Sequence, residues 1–386
     1  MEQKQLGLFE EHISQESRDI NATTQKVHFL ALSSIRGIGF QTLRKIYERY
    51  GRFDSVWLFS EIELHQFASN LSRNELSKII DTLKSKKSSL IEKAENTLKS
   101  YQDRNIDIVF RFESIFPKKL SEIPGSPYWL FVEGSQKLLF QDNLVAIVGS
   151  RSASYNGINA ARRLSFLLSK NGFPIVSGLA EGIDATAQQT AVDYGNKCVA
   201  VLGTGISVVF PASTASLRDR IAQSGGAIIT EYLPNDSYSK SRFIQRNRIQ
   251  AAISRLIVPV EWSVKGGTAH TIRYAEKYGR PVIFLRGLQD NAVEANASLY
   301  TSSNNRYFID VNSPSLENEI INIFRDLKIK IPRGKKSYSE SKDIFRSVID
   351  EYSRLIENYD ISESDFARLI EDLKKKWMKR RSIDER

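Results

Sequence analysis

The residues able to do chemistry in this chain gather in short glycine-bearing turns, each placed after a run of branched apolar residues. Val145-Ala146-Ile147-Val148 leads into Gly149-Ser150-Arg151. A small turn before a helix exposes backbone N–H groups, and the helix dipole favours an anion there. Arg151 adds a forked cation suited to phosphate. The plain structural alternative is a tight strand-to-helix turn with Arg151 merely solvated. Ser177-Gly178-Leu179-Ala180-Glu181-Gly182 makes a second turn of this kind. Lys265-Gly266-Gly267-Thr268 makes another, again offering N–H groups and a hydroxyl. Between them, Val201-Leu202-Gly203-Thr204-Gly205 begins like a dinucleotide fingerprint, but Val208 stands where the third glycine belongs. No acidic residue follows at the expected distance either, so a conventional NAD site is rejected. A Walker-type phosphate loop is absent. Several glycine turns along one edge would form a continuous concave anion site, with no cofactor required.

A second concentration is Lys240-Ser241-Arg242-Phe243-Ile244-Gln245-Arg246-Asn247-Arg248, four cations around one phenylalanine. Lys240 and Phe243 share a face if the segment is helical. Charge for phosphates and a ring for an unstacked base are what single-stranded nucleic acid needs. An ordinary amphipathic helix with Phe243 in the core is the competing account. Catalytic constellations are harder to find. Asp184 and Glu231 suit the capping of turns or the orienting of arginines, and Cys198, set among valines and alanines, reads as core. The four histidines, His12, His28, His65 and His270, are too scattered for a metal site. No catalytic residue and no metal ligand is assigned.

These turns need a scaffold. Unbroken apolar runs at Ile106–Phe110, Leu144–Gly149, Pro174–Gly178, Cys198–Gly203, Ala227–Glu231, Leu256–Val260 and Pro281–Leu285 read as strands buried on both faces. Helical patterns fill the gaps at Tyr155–Asn171, Ile183–Tyr194 and Thr268–Tyr278. Repeated βα order predicts an α/β fold, an extended Rossmann-like, doubly wound, mostly parallel sheet with ligands at the strands' carboxyl ends. Before it, Leu43, Ile46 and Tyr47, then Leu76, Ile79, Ile80 and Leu83, follow a helical period. The expected organisation is therefore a disordered or extended segment over 1–26, a helical domain over 27–104, the Rossmann-like domain over 105–330, and a linker with a basic helical tail over 331–386. The 386 residues carry 55 Lys and Arg against 45 Asp and Glu, a net +10 that suits a polyanionic partner. No apolar run approaches the roughly 20 residues of a membrane span, and the polar start has no signal-peptide pattern, so a cytoplasmic protein without a membrane partner is expected.

Taken together the segments resemble the DprA/Smf family, the DNA-processing proteins of bacterial transformation. The resemblance rests on Val145 to Arg151, on Ser177-Gly178-Leu179-Ala180…Gly182-Ile183-Asp184, and on Phe243…Arg246-Asn247-Arg248, with Phe116-Pro117…Leu130-Phe131…Gly134 leading in. Phe210-Pro211 stands where the family has Tyr-Pro. It implies a protein that binds single-stranded DNA, forms a homodimer and helps to load a RecA-type recombinase. Carried over by position, the DNA contacts are Gly149, Ser150, Arg151, Gly178, Gly182, Lys240, Arg242, Phe243, Arg246, Arg248, Lys265, Gly266, Gly267 and Thr268, with Arg248 open to a structural role instead. Leu32 to Ile46 looks like a helix-hairpin-helix (SAM-like) module, whose Gly37-Ile38-Gly39 turn either contacts a DNA phosphate or serves structure or protein binding instead. Departures are Gln188 for the family histidine, Arg286-Gly287 for Pro-Gly, a missing glycine ahead of Asn296, and no winged-helix pattern in residues 342–386. Nearby on the same fold type, the lysine-decarboxylase-like phosphoribohydrolases carry a catalytic glutamate where Thr271 stands here, so hydrolysis is not expected. The alternative is a nucleotide-binding sensor or effector in a phage-defence or mobile-element setting.

Overall fold

The computed structural model describes residues 21–69, 71–288 and 305–332. Residues 1–20, Asn296, and the basic tail apart from Ile331 and Pro332 lie outside the described residues.

The described residues begin with five α-helices: α1 (Ala22–Ser33), α2 (Phe40–Tyr50), α3 (Glu61–Phe67), α4 (Arg73–Ser85) and α5 (Lys87–Asp103). Helix α1 begins within the segment expected to be extended, because Asn21 caps it by accepting from the amides of Thr23 (3.0 Å) and Thr24 (3.3 Å). Ser60 with Glu63 and Ser72 with Glu75 form reciprocal capping boxes at the starts of α3 and α4.

The strands that follow are β1 (Ile106–Phe110), β2 (Trp129–Gly134), β3 (Val145–Gly149), β4 (Ile175–Ser177), β5 (Cys198–Val201), β6 (Ala227–Thr230), β7 (Leu256–Val260), β8 (Val282–Arg286) and β9 (Arg306–Asp310). The intervening helices are α6 (Lys118–Ser121), α7 (Tyr155–Lys170), α8 (Ile183–Asp193), α9 (Ala215–Gln223), α10 (Lys240–Ile253), α11 (Gly267–Lys277) and α12 (Leu316–Asp326). All strands join one sheet in the order β1-β2-β6-β5-β4-β3-β7-β8-β9. Strand β2 runs against both its neighbours and every other pairing is parallel. The doubly wound expectation holds, with β2 and β9 as additions.

Alternate residues of each strand enter different cores. Val145 and Ile147 point to the face covered by α7, α8 and α12, whereas Ala146 and Val148 point to the face covered by α10 and α11. The five N-terminal helices share the first of these cores. Phe29 sits 4.8 Å from Trp129, 5.7 Å from Phe110 and 5.9 Å from Phe131, ring centre to ring centre. The aromatic side chains of α1 and of the β1–β2 pair thus form one cluster that clamps the helical region onto the sheet.

Candidate nucleic-acid interface

Strand order dictates where a ligand can sit. After β3 the chain winds through β4, β5 and β6 on one side; after β7 it winds through β8 and β9 on the other. The connections leaving β3 and β7 therefore part and open a crevice at the strands' carboxyl ends. Gly149-Ser150-Arg151 forms one lip and Glu261–Gly267 the other. Because β4 and β5 continue the row, the turns after Gly178 and Gly203 extend the same edge. The four turns that looked separate in sequence stand side by side.

Their glycines serve close packing. Gly182, at φ +74°, lies so near the Ser150 and Arg151 carbonyls that no Cβ fits. Gly178 is just as tight against the Arg246 guanidinium. Two non-glycine residues on this rim, Leu179 (φ 56°) and Glu261 (φ 41°), are held in left-handed conformations. Each costs on the order of 1 kcal/mol or more, and such strain gathers at sites that hold ligands.

The turn amides are less available than the sequence implied. Ser150 N donates to the Glu261 carbonyl (2.9 Å), and Gly178 N to the Asp184 carboxylate (3.0 Å). At the start of α7 the Glu261 carboxylate accepts from Ser154 N (2.8 Å) and Ser154 Oγ (2.5 Å). The Glu261 carboxylate thus occupies the start of α7, while Ile183 N at the start of α8 donates to the Ser150 carbonyl (3.1 Å), so the Ser150, Gly178 and Ile183 amides, read from sequence as groups that grip phosphate, already have partners within the protein. What remains on the rim is side-chain charge. Arg151, Lys240 and Lys265 are exposed and form no ion pair among the described residues.

The cation cluster on α10 divides by position. Ser239 caps the helix, its Oγ accepting from Arg242 N at 3.2 Å, and Lys240 projects into solvent at the first turn. Arg242 is half-buried, pairs with Asp236 at 3.0 Å, donates to the Ser237 carbonyl and lies 5.2 Å over the Tyr232 ring. Arg246 is only 4% exposed. Its guanidinium donates to the carbonyls of Gly178 (2.8 Å) and Val201, tying the ends of β4 and β5 together. Burial lowers the Arg246 pKa and raises that of Asp184, and each charge is the main influence opposing the shift in the other. Arg248 grips both oxygens of Glu231 at 2.5 and 2.6 Å, and its Nε donates to the Gly125 carbonyl at 2.8 Å. Arg246 and Arg248, expected as DNA contacts, are held by carbonyl and carboxylate partners inside the protein, because their side of α10 lies against the sheet and the Gly125 loop, whereas Arg242, in the first turn, pairs with Asp236 and keeps part of its side chain exposed. The expected roles of Asp184 and Glu231, capping a turn and orienting an arginine, match their hydrogen bonds.

Phe243 is neither core nor fully solvated. Its half-buried ring lies on Gly203, 5.8 Å from the Phe210 ring and 5.8 Å from Arg246 Cζ. Tyr238 stacks on Phe210 at 4.2 Å with an 18° tilt and remains 58% exposed. Neither Phe210 nor Tyr238 was expected at the site. Only the Phe-Pro pair after β5 hinted at it, since the three aromatics come from two loops and a helix. On the other lip Gly267 is exposed and its carbonyl accepts from Asn247 at 3.1 Å, while Thr268 is buried.

The N-terminal hairpin adjoins the start of α10. Gly37 (φ +99°) and Gly39 are exposed on the turn between α1 and α2. Phe40 packs 5.6 Å from Tyr232, whose hydroxyl donates to the Arg242 carbonyl at 3.1 Å. Among the described residues no three His, Cys, Asp or Glu side chains converge as a metal site needs, and no helix is long and apolar enough to cross a membrane.

Comparison with known proteins gives a consistent picture. Residues 107–309 match the model of the DNA recombination-mediator protein A family. The chain is 30% identical over 272 residues to Protein Smf of Synechocystis, covering 70% of this chain and 66% of that one. It is 35% identical over 198 residues to DNA processing protein DprA of Streptococcus pneumoniae, covering 49% of this chain and 69% of that one. The sequence matches therefore span about two thirds of these relatives' length. The X-ray structure of DprA from Streptococcus pneumoniae superposes with a TM-score of 0.54 over 76% of this chain and 95% of that one, at 23% identity, which shows the shared fold. A structure of DNA processing protein A from Helicobacter pylori, described by its single-stranded DNA binding mode, superposes with a TM-score of 0.50 at 26% identity, covering 57% of this chain and 96% of that one.

Proposed function

Since the chain belongs to the DNA recombination-mediator protein A (DprA/Smf) family, we propose that it binds single-stranded DNA along the carboxyl edge of its sheet. The observation that carries this is the pairing of exposed cations at Arg151, Lys240 and Lys265, without an ion pair among the described residues, with a half-buried aromatic ring at Phe243. Cations on a rim take up phosphates and release counterions. A ring supported from behind, as Phe243 is by Gly203 and Phe210, accepts the face of an unstacked base without preference for sequence. The Helicobacter relative described by its single-stranded DNA binding mode supports the same assignment.

Binding rather than hydrolysis is favoured by Thr271, a buried hydroxyl where the related phosphoribohydrolases place a carboxylate. A hydroxyl there supplies neither proton donor nor base at neutral pH. The fuller family role, a homodimer that delivers the bound strand to a RecA-type recombinase during transformation, is part of the proposal and rests on family membership.

A gel shift comparing labelled single-stranded oligo(dT), the matching duplex and a panel of mononucleotides tests the assignment. Preference for the single strand, with competition by unlabelled oligo(dT) and not by mononucleotides, is the expected result. Tight mononucleotide binding with no retention of oligo(dT) would assign the crevice to a nucleotide sensor instead. Light scattering of the free protein and its DNA complex reads the dimer, and co-precipitation with a RecA-type protein on oligo(dT) reads the hand-over.

A further inference from the structure

Beyond the crevice the same edge carries an aromatic feature that phosphate binding leaves unused. Tyr238 lies on the loop before α10 with more than half of its surface in water. One face of its ring is covered, at 4.2 Å and nearly parallel, by Phe210 from the loop after β5. Phe210 in turn leans against Phe243 at 5.8 Å and 40°. Val209, beside Phe210, is also 49% exposed. A solvated tyrosine held flat by a second aromatic gains no burial on its outer face, so folding alone gives little reason to fix it there.

We propose that Tyr238, backed by Phe210, is a second base-stacking platform, so that successive bases of one strand rest on Phe243 and Tyr238. This rests on the assignment of the edge as a single-stranded DNA site and adds residue roles that charge does not supply. Three features favour a nucleobase as occupant over an apolar protein segment. The exposed surface is a tyrosine ring rather than an aliphatic patch. The exposed Lys240 stands two residues away, where a backbone phosphate would lie. The platform also continues the row of turns that begins at Arg151, in the spatial order of β3, β4 and β5. A strand laid along that row meets cation, Phe243 and Tyr238 on one path.

The test is a set of variants of the full chain titrated with fluorescein-labelled oligo(dT), alongside an oligonucleotide with single abasic sites stepped along it. Tyr238→Ala is expected to weaken oligo(dT) binding roughly tenfold, with the melting temperature unchanged, and Tyr238→Phe to bind like the parent. One abasic position should weaken the parent by a similar factor yet leave Tyr238→Ala almost unaffected, since the lost stack is then shared. Unchanged affinity for Tyr238→Ala while Lys240→Ala still weakens binding would overturn the second platform and leave the DNA assignment standing. Failure of the parent chain to bind oligo(dT) would overturn the DNA assignment itself. Loss of stability in Tyr238→Ala, with binding restored by Tyr238→Leu, would show that the ring is only loop packing.

Discussion

Arg246 and Lys240 both read as phosphate contacts in the sequence, yet their surroundings give them opposite work. Arg246 is desolvated and satisfied by carbonyls of β4 and β5 and by the nearby Asp184 charge, so its removal leaves buried acceptors and a buried acid without their partner. Arg246→Ala is expected to cost about 3–5 kcal/mol of stability, read as a lower midpoint in urea unfolding. Arg151→Ala and Lys240→Ala remove solvated charges that pair with nothing among the described residues. Each should weaken oligo(dT) binding by about 1.5 kcal/mol, measured by fluorescence anisotropy, with the unfolding midpoint unmoved. Nothing in residue type or spacing separates the two classes. Helical register does, because the first turn of α10 projects beyond the sheet while later turns lie upon it.

At the scale of elements, patterning carried most of the information. The seven expected strands all form, since a strand buried on both faces has to be continuously apolar, and that signal is local. Strand β2 is less legible although Trp129-Leu130-Phe131-Val132 is just as apolar, because a strand running against its neighbours breaks the βα rhythm. Strand β9, Arg306 to Asp310, sits at the sheet's edge with charged ends and half-buried sides, so it has no strong apolar signature. The helical region illustrates the opposite limit. Its helices are legible from period and caps, but their attachment through Phe29 to Phe110, Trp129 and Phe131 is not. Phe29→Ala is expected to cost about 3–5 kcal/mol. Because the helices and the sheet share this core, thermal unfolding should remain a single transition shifted downward; a separate early transition of the helices would refute the shared core. Asn21→Ala, which removes only a cap, should cost about 1 kcal/mol.

For the molecule as a whole, net charge indicates a polyanion but says nothing of how many phosphates are held. The described rim offers three unneutralised cations, Arg151, Lys240 and Lys265, and single strands release about 0.7 counterion per contact, so log affinity should fall against log salt with a slope of roughly −2 per bound chain. A slope near zero would remove phosphate contact as the basis of binding. A slope several times steeper would place further cations, such as the basic run Lys374 to Arg381, on the DNA.

The amino-acid sequence by itself determined the fold class, seven of the nine described strands with their turns, and the family, since apolar period, glycine position and ordered motifs are properties of neighbours along the chain. Only the tertiary structure decided which amides and cations are free to meet a ligand. That depends on what the sheet brings from afar: Glu261 onto the start of α7, the Gly178 carbonyl onto Arg246, Glu231 onto Arg248, and Phe210 behind Tyr238. Burial and pairing, rather than residue type, set the availability of a charge, and both arise from contacts between residues distant in sequence.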